Sequence, residues 1–163
     1  MKKKINLFAI LAITATLLTV CALLFPIGPG VHYAVTSGGY VFSIRGYDFV
    51  FGNSANQLVD PNGAYICAFA LLIIAVVFQI LGTVFTLPNP EASHKFSGFL
   101  HLLSCLCLIV VSILVFSAPG IADHPYRSMF SLAYGFTMTG ICTTLSAISS
   151  FECFALEWFE ESK

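Results

Sequence analysis

Few side chains in this chain could do chemistry. The four histidines are His32, His94, His101 and His124. His32 and the pair Asp123-His124 lie in separate polar stretches. If those stretches meet, two imidazoles and a carboxylate would suffice to ligate zinc. No His-x-x-x-His spacing accompanies them, so no metal site is expected. His94 and His101 share a helical face, but His94 falls in a polar turn and is expected to be solvated. Gln79, His101, Ser104 and Thr143 are different, because each is a polar side chain inside an otherwise apolar run. Gln79, Ser104 and His101 could line a hydrophilic passage, with His101 as its proton-responsive element. They could equally hold helices together through hydrogen bonds. The second reading is the expectation, since coupled transport uses an intramembrane charge to bind its ion and these runs carry none.

Cysteine chemistry follows the same course. Cys21, Cys67, Cys105, Cys107, Cys142 and Cys153 all fall within or at the ends of the apolar runs. Cys105 and Cys107 do not form a Cys-x-x-Cys pair and diverge by roughly 200° on a helix. A bridge between Cys21 and Cys67 is conceivable, but all six are expected to be small packing residues. No catalytic group, cofactor or metal ligand emerges, and the chain reads as non-enzymatic.

The elements carrying these residues are four runs free of Asp, Glu, Lys and Arg, over residues 5–25, 64–87, 98–117 and 128–151. At 1.5 Å per helical residue each can cross a hydrocarbon core of about 30 Å. Only 9% of residues are charged and 58% are hydrophobic, against about 25% charged in a soluble domain. The expected fold class is therefore an all-α membrane protein, an antiparallel four-helix transmembrane bundle forming one domain over residues 1–163. Membrane lipid is one partner. A net charge of −1 lacks the basic footprint of a nucleic-acid binder.

Positive charge sets the expected orientation. Lys2, Lys3, Lys4, Lys95 and Lys163 fall on one side, Arg45 and Arg127 on the other. Both termini and the 88–97 turn are then cytoplasmic, with residues 26–63 and 118–127 outside. The lysine-rich start suits a bacterial inner membrane, with plasma-membrane, multi-pass localisation. Lys2 to Lys4 before Ile5 to Val20 also resembles a secretory signal. An uncleaved first helix is expected, because Val20 is a poor residue before a cut and the apolar run continues to Phe25.

Small and weakly polar residues mark inner faces in lipid. They are Ala12, Ala15, Thr16, Thr19 and Ala22; Ala68, Ala75, Gln79, Gly82 and Thr86; Ser97, His101, Ser104 and Ser112; and Ser131, Gly135, Thr139, Thr143, Ser146 and Ser150. Gln79 and Ser104 lie roughly 9 to 12 Å inside, counted from the helix ends. Gln79 is expected to turn inward and bond to a backbone carbonyl or to a hydroxyl from Ser104, Thr143, Thr14 or Thr16.

Between Gly38 and Gly52 the pattern becomes period two. β-Branched and aromatic residues bounded by glycines predict a hairpin turning at Arg45-Gly46. In that register Tyr40 faces Phe51, Phe42 faces Phe49 and Ile44 faces Tyr47, which puts six large side chains on one face. Val31 to Thr36 could add a third strand. The hairpin needs cover, from its own bundle, from headgroups or from a protein partner. Edge pairing makes a partner, or self-association, the functional expectation for Tyr40, Phe42, Ile44, Tyr47, Phe49 and Phe51.

With cytoplasmic termini, a long β-forming first outside loop and a short second one, the chain resembles the claudin-like four-transmembrane proteins. The likeness is one of topology, since the only tryptophan is Trp158 and the outside loops hold no cysteine. It implies adhesion, barrier or partner-regulating roles. A small channel or transporter subunit using the polar interior around Gln79 is the alternative.

Overall fold

The computed structural model describes residues 2–35, 40–52, 60–86, 95–121 and 127–159. Four long helices dominate: α1 Lys2–Leu24, α3 Gly63–Thr86, α4 Lys95–Phe116 and α6 Tyr134–Phe159. All four are long and apolar enough to cross a membrane. Between them lie β1 Pro29–Val35, β2 Tyr40–Arg45, the short helices α2 Gly46–Phe51 and α5 Ala118–Ile121, and β3 Phe130–Leu132.

Local chemistry places the helix ends. Pro26 has no N–H to continue α1, and a single 3₁₀ turn at Phe25–Ile27 takes the chain out of the helix. Asn62 caps α3, its Oδ1 accepting the Ala64 N–H at 2.9 Å. The same side chain donates through Nδ2 to the Ile121 carbonyl, joining the start of α3 to α5. At Gly52 the backbone takes φ +77 against Pro61, a conformation that favours glycine and ends α2.

The long helices close into a ring: α1 packs on α3 and α6, and α4 packs on the same two. Neighbours run in opposite directions. Ala22 meets Thr139 while Phe8 meets Cys153 between α1 and α6, and α3 meets α4 both at Gly82–Ser97 and at Ala75–Ser104.

The molecule is turned inside out relative to a water-soluble bundle. Ala12, Ala15, Thr19, Ala75, Gln79, Thr143 and Ser146 are fully enclosed, whereas Ile10, Leu17 and Ile113 are each 60% exposed. The small and polar stripes legible in the sequence face inward. One stripe residue departs from that reading, Ser131, which lies exposed in β3, and Thr14, a candidate partner for Gln79, points outward.

The fourth expected span also begins later than its composition suggests. Residues 128–133 are apolar enough to extend a helix, but Phe130–Leu132 pairs antiparallel with β1. Backbone hydrogen bonds to a distant strand outcompete helix continuation there. At its other end α6 runs on to Phe159.

The sheet has the order β2-β1-β3. Val31 pairs with Ile44, His32 with Ser43 and Tyr33 with Phe42, while Val31, His32 and Tyr33 meet Leu132, Ser131 and Phe130 on the other side. A bulge lies between Pro29 and Val31. Val31 to Val35 thus does form a strand, but the hairpin at Arg45-Gly46 does not exist. The chain enters α2 there instead. As a helix, residues 46–51 bury Phe49 and Val50 over the ends of the long helices, which a second strand in a solvated hairpin could not do. Tertiary burial overrides β-propensity.

Candidate functional site

Two regions collect the residues singled out by the sequence. The first is the cap formed by the sheet and α2. Gly46 makes its tight docking possible. Its N–H donates to the Gly28 carbonyl at 3.0 Å, and a Cβ at Gly46 would sit 2.8 Å from three atoms of Pro26. Gly30 lies equally close to Gly46 from the other side. Phe49 then fills the centre, fully enclosed, with ring neighbours Tyr65, Phe130 and Phe136 at 5.1, 6.1 and 5.7 Å. Tyr47 donates its hydroxyl to the Leu23 carbonyl at 2.6 Å, and its burial raises the phenol pKa above the ordinary 10.0.

The six-residue aromatic face is therefore dispersed. Phe49 is core, Ile44 packs against the same cluster, and Tyr47 is half-buried against Phe51 and Phe69. Phe42 and Phe51 remain about half exposed, at 52% and 47%. Tyr40 begins β2, its side chain outside the described residues. Alternation explains why Phe42 stands out. It shares a cross-strand row with Tyr33 and Phe130, on the face that also carries enclosed Val31. At the edge strand this row overhangs the bundle. Val41 is 61% exposed, and β2 has a strand on one side only among the described residues. On the opposite sheet face, His32 Nδ1 lies 3.0 Å from Ser43 Oγ.

The second region is a polar belt inside the ring. Gln79 reaches across from α3, accepting at Oε1 from Thr19 Oγ1 at 2.8 Å. Its Nε2 donates to Ser146 Oγ and Ser150 Oγ, both at 2.9 Å. The Thr19 Oγ1 and Ser146 Oγ atoms are 2.7 Å apart and both lie 2.8 Å from the Ala15 carbonyl, so the one hydroxyl proton of Thr19 is shared between that carbonyl and Oε1 while Ser146 donates to the carbonyl. One amide thereby joins three helices. The partners differ from those obtained by counting depth from the helix ends. Thr19 lies three residues beyond Thr16, and Ser146 takes the place of Thr143. Such counting treats the helices as flush and parallel, and an offset of a single turn, about 5.4 Å, is enough to change the partner.

Ser104 is buried one step away, donating to the Ala75 carbonyl at 3.2 Å. Thr143 pairs with Ser112 at 2.7 Å between α6 and α4, and Ser97 donates to the Gly82 carbonyl. His101 is fully enclosed but joins no network among the described residues. There neither ring nitrogen has a hydrogen-bond partner, its ring stands edge-on to Phe8 at 5.7 Å, and Gly82 leaves the space it occupies. These four polar residues therefore do not converge on one point. Thr19, Ser146 and Ser150, which complete the belt with Gln79, were legible only as members of a small-residue stripe.

Among the described residues no group of three or more His, Cys, Asp or Glu could hold a metal ion. Asp123, His124 and His94 lie outside the described residues. All six cysteines are free thiols, and Cys21 and Cys67 are exposed on the helix exterior rather than packed inside. No family model, curated protein or solved structure matches this chain.

Proposed function

We propose that this is a non-enzymatic, multi-pass integral membrane protein of claudin-like architecture, whose outside β-cap binds another protein through the free edge of β2. The carrying observation is the exposure of that edge. Val41 and Phe42 are left uncovered in a strand that pairs on one side only among the described residues, while Tyr47 and Phe49 tie α2 to the long helices. A short free edge with adjacent large side chains is what β-augmentation uses, main-chain bonds supplying affinity and side-chain pockets supplying selectivity. The apolar exterior supports the lipid setting, and the lysine distribution supports cytoplasmic termini and a bacterial inner membrane.

The polar interior serves as a lock in this reading. The Gln79 amide is saturated by protein partners, and the cavity beside Tyr65, Phe69 and Phe136 amounts to about 20 Å³, room for about one water. The pore alternative draws on the unpaired ring of His101, which a conducting path would have to hydrate. A photo-crosslinker at Phe42 in native membranes tests the main reading. It should capture a discrete protein adduct that a crosslinker on the opposite sheet face, at Ser43, does not. Recovery of lipid and the chain's own helices alone would overturn it.

A further inference from the structure

On the exterior of the helix ring, two apolar grooves flank a single carboxylate. The larger, about 610 Å³, lies between α4 and α6, with walls from Ile109, Ile113, Ile148 and Phe151. The smaller, about 420 Å³, lies between α1 and α6, lined by Leu7, Leu11, Ala155 and Leu156. Glu152 borders both. The larger volume falls in the range of pockets that hold drug-sized ligands, enough for part of an acyl chain.

Polar atoms in the larger groove are already engaged within the protein. Thr144 donates to the Gly140 carbonyl at 2.8 Å, with Ser112 Oγ 3.3 Å away, and Ser112 bonds to Thr143. What remains is an aliphatic wall with a charge at one end. That end is the lysine side of the molecule. Gly98, three residues from Lys95, stands opposite Phe154 and Glu157, which puts Glu152 roughly 8 to 12 Å inside Lys95 at 1.5 Å per residue. A carboxylate at that depth, open to the exterior, calls for a cationic partner that is itself amphipathic.

We infer that Glu152 and its flanking grooves bind an amine-headed phospholipid of the lysine-side leaflet. The ammonium group contacts the carboxylate, one acyl chain runs along the α4/α6 groove, and the other starts in the α1/α6 groove. The inference rests on the membrane part of the proposed function and is independent of the β2 edge. A primary ammonium offers three N–H donors to Glu152, whereas a choline head carries the same charge with none, and an anionic glycerol head is repelled.

The test uses the full chain reconstituted in vesicles of equimolar phosphatidylethanolamine, phosphatidylcholine and phosphatidylglycerol. Flotation first reports whether the chain inserts. A chain that stays at the bottom overturns the membrane reading and this site with it. Native mass spectrometry of the floated, detergent-extracted protein then reads retained lipid. Phosphatidylethanolamine should exceed phosphatidylcholine by about three- to fivefold, the scale of one partly exposed hydrogen bond to the carboxylate. Glu152→Gln, which preserves shape, should abolish that preference, and Ile113→Trp should reduce retention of all three lipids by filling the groove. For an inserted chain, equal retention of the three lipids, or a preference unchanged in Glu152→Gln, overturns the site.

Discussion

Replacing Gln79 by Met removes the amide while keeping the length of the side chain, so the variant loses hydrogen bonds without opening a large cavity. Three bonds disappear: Thr19 to Oε1, and Nε2 to Ser146 and Ser150. Interhelical bonds between membrane helices average about 0.6 kcal/mol and reach about 1.7, which sets the loss at about 2 kcal/mol with a ceiling near 5. The lower figure is expected, because Thr19 and Ser146 keep each other and the Ala15 carbonyl. Ser150 should carry most of the penalty. The assay is reversible unfolding in mixed micelles with rising SDS, followed by helical circular dichroism and by fluorescence of Trp158, the only tryptophan. Ile80→Ala on the exterior of the same helix, 44% exposed, serves as the control and should change stability by less than about 0.5 kcal/mol. A double-mutant cycle with Ser150→Ala isolates one bond, with an expected coupling of about 0.6 kcal/mol. A Gln79→Met variant as stable as the wild type, or zero coupling in the cycle, would refute the interhelical lock.

Phe49→Ala should cost about 3 to 5 kcal/mol by emptying the centre of the cap, read as rapid proteolysis of residues 40–52 with the long helices still intact. Gly46→Ala drives a Cβ into Pro26 and should destabilise the cap by about 1 to 3 kcal/mol, visible as faster amide exchange in α2. The Tyr47 phenol has its folded pKa raised by burial. Its contribution is fully present below the unfolded value of about 10 and is lost as pH rises through the folded one, so the protection of α2 amides relative to their intrinsic exchange should fall at alkaline pH, and that fall should be absent in Tyr47→Phe. Water-soluble maleimide should leave buried Cys105, Cys142 and Cys153 unmodified in intact membranes. Labelling of any of the three would favour the pore reading over the lock.

The polar belt was half legible. Gln79 identified itself, because an amide within a long apolar run has to find partners or cost several kcal/mol in lipid. Its partners did not, since the hydroxyls of Thr14, Thr16, Thr19, Thr143, Ser146 and Ser150 are alike in one dimension. Their selection depends on rotation and offset between helices. The cap was less legible still. Tyr40 to Phe51 alternates well enough for a hairpin, and the same residues divide into a strand and a helix once Phe49 can reach Tyr65, Phe130 and Phe136.

What the sequence determined by itself was the set of four apolar helices and their inner stripes of small and polar residues. Those features follow from composition and short-range periodicity, which need no knowledge of neighbours. Only the tertiary structure decided that Phe130 to Leu132 leaves the fourth apolar run to join β1, that residues 46–51 coil instead of pairing, and that Thr19, Ser146 and Ser150 hold Gln79. Each depends on contacts between residues far apart in the chain, where burial and hydrogen bonding outweigh the local preferences along it.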